Sequence, residues 1–261
     1  MRARVLFVLI AGLALFAGTT DSLAADPAAP VETMTATPFD GTPRIGPLFA
    51  SGTDSAHGCT ASVLASATRD LILTAAHCIN GTGAGMQFAP GYNQGATPYG
   101  VWTVTHAYVD PAWIATQDPS RDYAILHVAK KPSGHGRIGV EDVTGGWPLG
   151  AVPEDGEEIT VIAYNAGLND QPITCTIPAH LATGVPSFNC HGYIGGSSGS
   201  PWLSAPPDIA VLGVIGGSEQ GGCAEYTSYS SPFDSSVTAL LQRAEQDADP
   251  DDVPQAAAVG C

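Results

Sequence analysis

Positive charge is scarce in this sequence: 9 Lys and Arg stand against 25 Asp and Glu, for a formal net charge of −16. Such a surface repels phosphate backbones and anionic headgroups, which argues against nucleic acid as a partner. Charge of either sign is thin, at 13% of residues, so the chain lacks the charged runs that accompany long exposed helices. Long apolar runs are lacking as well. The one that stands out, Val5 to Phe16 behind Arg2 and Arg4, is shorter than the roughly 20 residues a membrane span needs. It leads into Ser22 and Ala24, small residues of the kind that flank a cleavage site. Residues 1–24 therefore read as a secretory signal peptide. The product reads as secreted, with no membrane partner once the signal is removed.

Turn formers are plentiful, with 31 Gly and 21 Pro, and there are 6 Cys, none of them in the signal. Export to an oxidising compartment makes disulfides the first reading of those cysteines. Residues 25–44, ADPAAPVETMTATPFDGTPR, carry little apolar periodicity and read as a pro-segment or N-terminal arm. From Ile45 the texture changes to short apolar runs between turn signals: ASVLAS, LILTAA, VWTVTHAYV and YAILHVA, then EITVIAY, TCTI, SFNC, WLSA and IAVLGVIGG. These read as strands. The interval 141–158, EDVTGGWPLGAVPEDGEE, is the best hinge between two similar halves. Residues 235–246 place Val237, Leu240 and Leu241 at helical spacing behind Ser235 or Ser236 as cap, so one C-terminal helix is expected. Beyond it, EQDADPDD holds 5 acids, and residues 244–261 read as a poorly ordered acidic tail.

Three groups could carry chemistry. LTAAHC places His77 at the end of a strand-like run, SRDYAIL places Asp122 just before another, and GYIGGSSGSPW presents Ser197, Ser198 and Ser200 among glycines. Taken singly, each has a plain structural reading: a core histidine, an acid before a strand, a flexible Gly/Ser loop. Acyl transfer by serine needs the three together: a hydroxyl, an imidazole to take its proton and a carboxylate to orient the imidazole. The other histidines, His57, His106, His127, His135, His180 and His191, show no paired metal spacing, so no metal and no cofactor is expected.

LTAAHC, DYAIL and GSSGSPW, in that chain order, resemble the chymotrypsin-like (trypsin-like) serine proteases over residues 45–243. The resemblance implies an all-β fold of two antiparallel six-stranded barrels with a C-terminal helix. The first barrel, 45–142, would carry His77 and Asp122, and the second, 143–243, the serine. Aligning Gly-x-Ser-Gly-x-Pro on GSSGSP makes Ser198 the nucleophile, His77 the general base and acid, and Asp122 its orienter. The N–H groups of Gly196 and Ser198 would form the oxyanion hole. The implied function is a secreted endopeptidase acting on polypeptides, as a monomer. A catalytically silent binding domain on the same scaffold is the alternative, though it would be expected to have lost a triad member. An α/β-hydrolase is disfavoured by chain order, which there runs Ser, Asp, His.

The sequence departs from animal trypsins at Ser197, where they carry an aspartate that pairs with a new N-terminus. Cleavage after Arg44 to free Ile45 thus loses its electrostatic reason, and GSSGSPW looks closer to bacterial secreted members such as the glutamyl endopeptidase branch. The resemblance places the specificity pocket between His191, Gly192 and Tyr193 on one side and Gly216, Gly217 and Ser218 on the other. The trypsin pocket aspartate aligns with Gly192, and the glutamyl branch's pocket histidine with Ile215. The family's bridge beside the histidine implies Cys59–Cys78. Cys175–Cys190 would tie a hairpin leading to the serine loop, and Cys223 is left for Cys261. A free Cys261 or a Cys190–Cys223 bridge stays open.

Overall fold

The computed structural model describes residues 33–134, 136–182 and 184–258; the signal peptide assigned to 1–24 lies outside them. Its strands are β1 Met34–Thr35, β2 Thr37–Pro38, β3 Ile45–Phe49, β4 Cys59–Val63, β5 Leu71–Thr74, β6 Gln87–Phe88, β7 Trp102–Val109, β8 Ala124–Val128, β9 Lys131–Ser133, β10 Gly136–Ile138, β11 Glu158–Ala163, β12 Ile173–Ala182, β13 Val185–His191, β14 Pro201–Ser204, β15 Val211–Val214 and β16 Thr227–Tyr229. Its helices are α1 Pro111–Thr116, α2 Val140–Thr144 and α3 Ser235–Glu245.

In the first half, β3-β4-β5-β8-β7-β6 close into a barrel. Closure explains why β5 (LILT) and β8 (AILHV) are buried at every position rather than at alternate ones: one face fills the barrel and the other packs against neighbours. In the second half, six strands pair in the order β16-β13-β12-β11-β14-β15 around a core that includes Val161, Phe188, Trp202 and Ile215. The arm contributes β1, parallel to β13, and β2, antiparallel to β12. The proposed hinge is stitched to both halves, through Trp147 beside Leu64 and Leu149 beside Val211. Arg44–Ile45 also lies inside paired structure. Ile45 is fully buried in β3, and the Arg44 carbonyl accepts from Val63 N–H.

Two expectations need correction at the C-terminus. The cap of α3 is Asp234, whose Oδ1 accepts from Ser236 N–H at 2.8 Å, rather than Ser235 or Ser236. The acidic tail is docked, not loose. Arg243 forms a two-pronged pair with Asp251, whose carboxylate also accepts from Val109 N–H and whose own N–H donates to Ala107. Val253 follows, 2% exposed and bridged to Gly81. An acid that satisfies the N–H of a buried strand-end residue and an arginine is a structural residue, a role that composition does not reveal. Cys59–Cys78 and Cys175–Cys190 are both bridged. The third expected pairing needs Cys261, which lies outside the described residues.

Candidate active site

His77 sits in the 3-10 turn Ala76–Cys78 just after β5, and Asp122 closes the 3-10 turn Pro119–Arg121 just before β8. β5 and β8 are neighbours with Thr74 opposite Ala124, so the two turns leave the sheet side by side. Asp122 is completely buried and accepts three N–H groups: from the His77 ring Nδ1 at 2.7 Å, from the His77 backbone at 2.8 Å and from Gly217 at 2.8 Å. Both oxygens of this buried carboxylate thus have N–H partners. With Nδ1–H committed to Asp122, the lone pair of the neutral ring is on Nε2. The Asp122 N–H donates to Ser231 Oγ, which in turn donates to the Pro119 carbonyl.

The Gly/Ser loop joins β13 to β14, and its glycines are required by space. Gly196 has φ +97°, and a Cβ there would lie 2.0 Å from Ala166 N; Gly199 has φ +81°, and its Cβ would lie 2.1 Å from Thr74 Oγ1. Neither site admits another residue without backbone movement. Thr60, from β4 of the other half, fastens the loop. Its N–H donates to the Ser198 carbonyl at 2.8 Å and its hydroxyl to the Gly196 carbonyl at 3.1 Å. The N–H groups of Ser197, Gly199 and Ser200 all donate within the protein, whereas those of Gly196 and Ser198 have no acceptor among the described residues. Ser198, Gly196 and His77 line one cleft of about 410 Å³. The Ser198 hydroxyl makes no hydrogen bond to the His77 ring here, a looseness common before substrate binds.

A second cavity of about 280 Å³ opens beside Ser198, bounded by Tyr193, Ile215, Ser228 and the turn from Gln220 to Cys223. The Tyr193 hydroxyl donates to the Val161 carbonyl, so burial leaves the ring as its contribution, and burial pushes its ionisation well above the ordinary range. Among the described residues, the one charged residue in this lining, Glu225, is held by His191 Nδ1 at 2.5 Å. Of the residues placed at this pocket from the sequence, only Tyr193 lines the cavity. Gly217 holds Asp122 and Gly216 lies against it, Ser218 opens the following turn, the Gly192 carbonyl takes a hydrogen bond from Asn165, and His191 pairs with Glu225.

No family model matches this chain, and no curated protein does. Among solved structures, a protease from Arthrobacter nicotinovorans, Anisep, superposes with a TM-score of 0.68 at 22% identity, over 81% of this chain and all of that one. This is the chymotrypsin-like fold. A thermostable serine protease, AL20, from an extremophilic microorganism shares it at TM-score 0.65 and 24% identity, over 78% of this chain and 98% of that one. A Glu endopeptidase shares it at TM-score 0.62 and 16% identity, over 82% and 97%.

Within this chymotrypsin-like frame, Thr60, Ser231 and Asn165 support the site and carry no sequence signal, since each acts through backbone groups brought close only by folding. The pocket wall was more legible: SEQGGC crowds glycines into a short turn. One histidine pair also forms unannounced. His106 and His127 stack across β7 and β8 with centroids 4.6 Å apart, near Asp247. His127 commits both ring nitrogens, Nε2 to the Ala244 carbonyl at 2.9 Å and Nδ1 toward Asp70 at 3.4 Å, while Lys130 lies 3.6 Å from Asp70. A doubly engaged imidazolium offers a metal no lone pair, so these donors suit charge pairing.

Proposed function

We propose that this chain is a secreted serine endopeptidase in which Ser198, His77 and Asp122 act as a catalytic triad. The reading rests above all on Asp122: a buried carboxylate with three N–H donors that fixes the ring of His77 in the cleft shared with Ser198. Ser198 Oγ attacks the carbonyl carbon of the scissile bond as its proton passes to His77 Nε2, and the new oxyanion sits against the free N–H groups of Gly196 and Ser198. His77 then gives that proton to the leaving nitrogen, the C–N bond breaks and an acyl-serine forms. Water, deprotonated by the same ring, cleaves the acyl-serine to release the acid and restore Ser198.

The cavity beside Ser198 suits an uncharged side chain of medium size. Its walls are Ile194, Ile215, the ring of Tyr193 and glycine backbone, together with the uncharged Gln220, Thr227 and Ser228. Its single carboxylate is hydrogen-bonded to His191, and among the described residues no Lys, Arg or His lines it to receive an acid. The third bridge, Cys223–Cys261, the monomeric state and export through residues 1–24 belong to the same reading. The test is labelling of the protein lacking residues 1–24 with a fluorophosphonate, together with cleavage-site profiling on a peptide mixture. Adduct on Ser198 and cuts after uncharged residues are the expected results. No adduct and no cuts would leave a silent binding domain in its place.

A further inference from the structure

Past Val253 the C-terminal segment runs on along the first barrel, with Ala256 still packed against its core, to the rim of the cleft, where it meets two glutamines from opposite halves. Gln117, at the end of α1, brackets it with one side chain: its Nε2 donates to the Gln255 carbonyl at 2.7 Å and its Oε1 accepts from Ala257 N–H at 2.8 Å. Gln220, which lines both the cleft and the side-chain cavity, donates to the Ala257 carbonyl at 2.6 Å. The contacts are all to backbone, and Gln255, Ala257 and Ala258 leave their side chains exposed. Recognition of this kind is indifferent to sequence and suits any extended polypeptide. Both glutamines hold left-handed backbone, φ +54° at Gln117 and φ +51° at Gln220, with Glu219 alike at φ +51°. Residues with a Cβ adopt that region at a cost, and paired left-handed residues beside a cleft mark a place where the surroundings impose the shape.

We propose that Gln117 and Gln220 form a backbone-reading subsite for an extended peptide, and that residues 254–258 of this same chain occupy it as a tethered competitor. The proposal rests on the peptidase reading for its purpose, since a chain read here is placed beside Ser198, but binding can be measured without turnover. The anchor is independent of the occupied stretch: Asp251 on Arg243 and buried Val253 on Gly81 fix the tether. The effective concentration of residues 254–258 at the rim is therefore on the order of millimolar. A short substrate that stays within the cleft does not meet this competitor. A long one must displace it.

Fluorescence anisotropy of a short and a long peptide sharing one core sequence, on Ser198→Ala protein, tests this. The full chain is compared with a chain ending at Val253 that carries Cys223→Ser, so that losing Cys261 leaves no lone thiol. Shortening is expected to raise the ratio of long-peptide to short-peptide affinity by at least about 10-fold. In the shortened chain Gln117→Ala should return the ratio toward its starting value, because the glutamine then reads the peptide. A ratio unchanged within about 2-fold on shortening, or no binding of the long peptide to either form, would overturn the proposal. Fluorophosphonate labelling of the unmutated chain decides the peptidase reading separately.

Discussion

Asp122→Asn probes the site at its most constrained point. The carboxylate is fully buried and meets three N–H groups, two from His77 and one from Gly217, at 2.7–2.8 Å. The isosteric amide keeps the shape but can present oxygen on one side only. With its oxygen toward the ring, Nδ1–H and Gly217 N–H stay satisfied while the amide NH₂ confronts the His77 backbone N–H. In the opposite orientation the NH₂ confronts Gly217 N–H and donates to Nδ1, which moves the ring proton to Nε2, the atom that must take the serine's proton. Either way one buried N–H loses its acceptor, at a cost of about 1–3 kcal/mol in stability. The first orientation removes only the charge that steadies the imidazolium; the second removes the base. Turnover should fall by about 10³–10⁴-fold, or about 4–5.5 kcal/mol at 1.36 per tenfold. Peptide turnover and the rate of fluorophosphonate labelling, read beside thermal melting, separate the two effects. Turnover within about 10-fold of the parent, with melting lowered, would refute the role given to Asp122.

The three loop serines should behave differently. Ser198→Ala should cost at least about 10⁴-fold in turnover, and Ser197→Ala less than about 10-fold. Ser200→Ala deletes a fully buried hydroxyl with no partner among the described residues and should raise stability by about 1 kcal/mol in a denaturant titration. Loss of activity on Ser197→Ala alone would shift the assignment. A pH dependence follows from Asp70 and His127. Burial raises Asp70, but the neighbouring His127 ring and Thr68 hydroxyl and the charges of His127 and Lys130 outweigh it and hold it below its ordinary 3.8. Burial lowers His127, but Asp70 and the Ala244 carbonyl outweigh it and hold it above its ordinary 6.5. Neighbouring His106, lowered by burial and by the charge of His127, works the opposite way. The His127 contribution is complete below 6.5 and is lost as pH rises through its raised value; that of Asp70 is present above 3.8 and is lost as pH falls through its lowered value. The stability lost on His127→Gln should thus be largest between about pH 4 and 6.5 and shrink toward pH 8. A loss that grows toward pH 8 would contradict the pairing.

How much of this was legible depends on whether a feature lives in neighbouring residues. LTAAHC marks a strand end with His77, and GSSGSP needs glycines at 196 and 199 for reasons of space now visible at Ala166 and Thr74. Cys59–Cys78 came from the family resemblance and Cys175–Cys190 from the hairpin it flanks, while α3 follows from local pattern, its cap lying one residue before Ser235. Strands β1 and β2 are two residues each and carry no periodicity, so the arm could not be seen as part of the second sheet. Helix α1 was not expected: Asp110 before Pro111 is a cap signal, but its 6 residues leave no apolar stripe to read. The docked tail was hidden because Asp251 looks like its neighbours until Arg243 and Val109 are beside it. The His106–His127 pair is likewise a product of register between β7 and β8.

Thr60 joins the halves in a way that makes the working site a joint product of both. The loop bearing Ser198 hangs from the second set of strands, yet its Gly196 and Ser198 carbonyls are gripped by a residue of the first. Each half could keep its own strands and core while the grip is released, and the free N–H groups of that loop would then lose their aim. Under rising denaturant, hydrolysis should therefore fade while circular dichroism still reports intact strands. Likewise, a folding chain whose halves have not yet met carries all the ingredients of the proposed protease and none of its hazard.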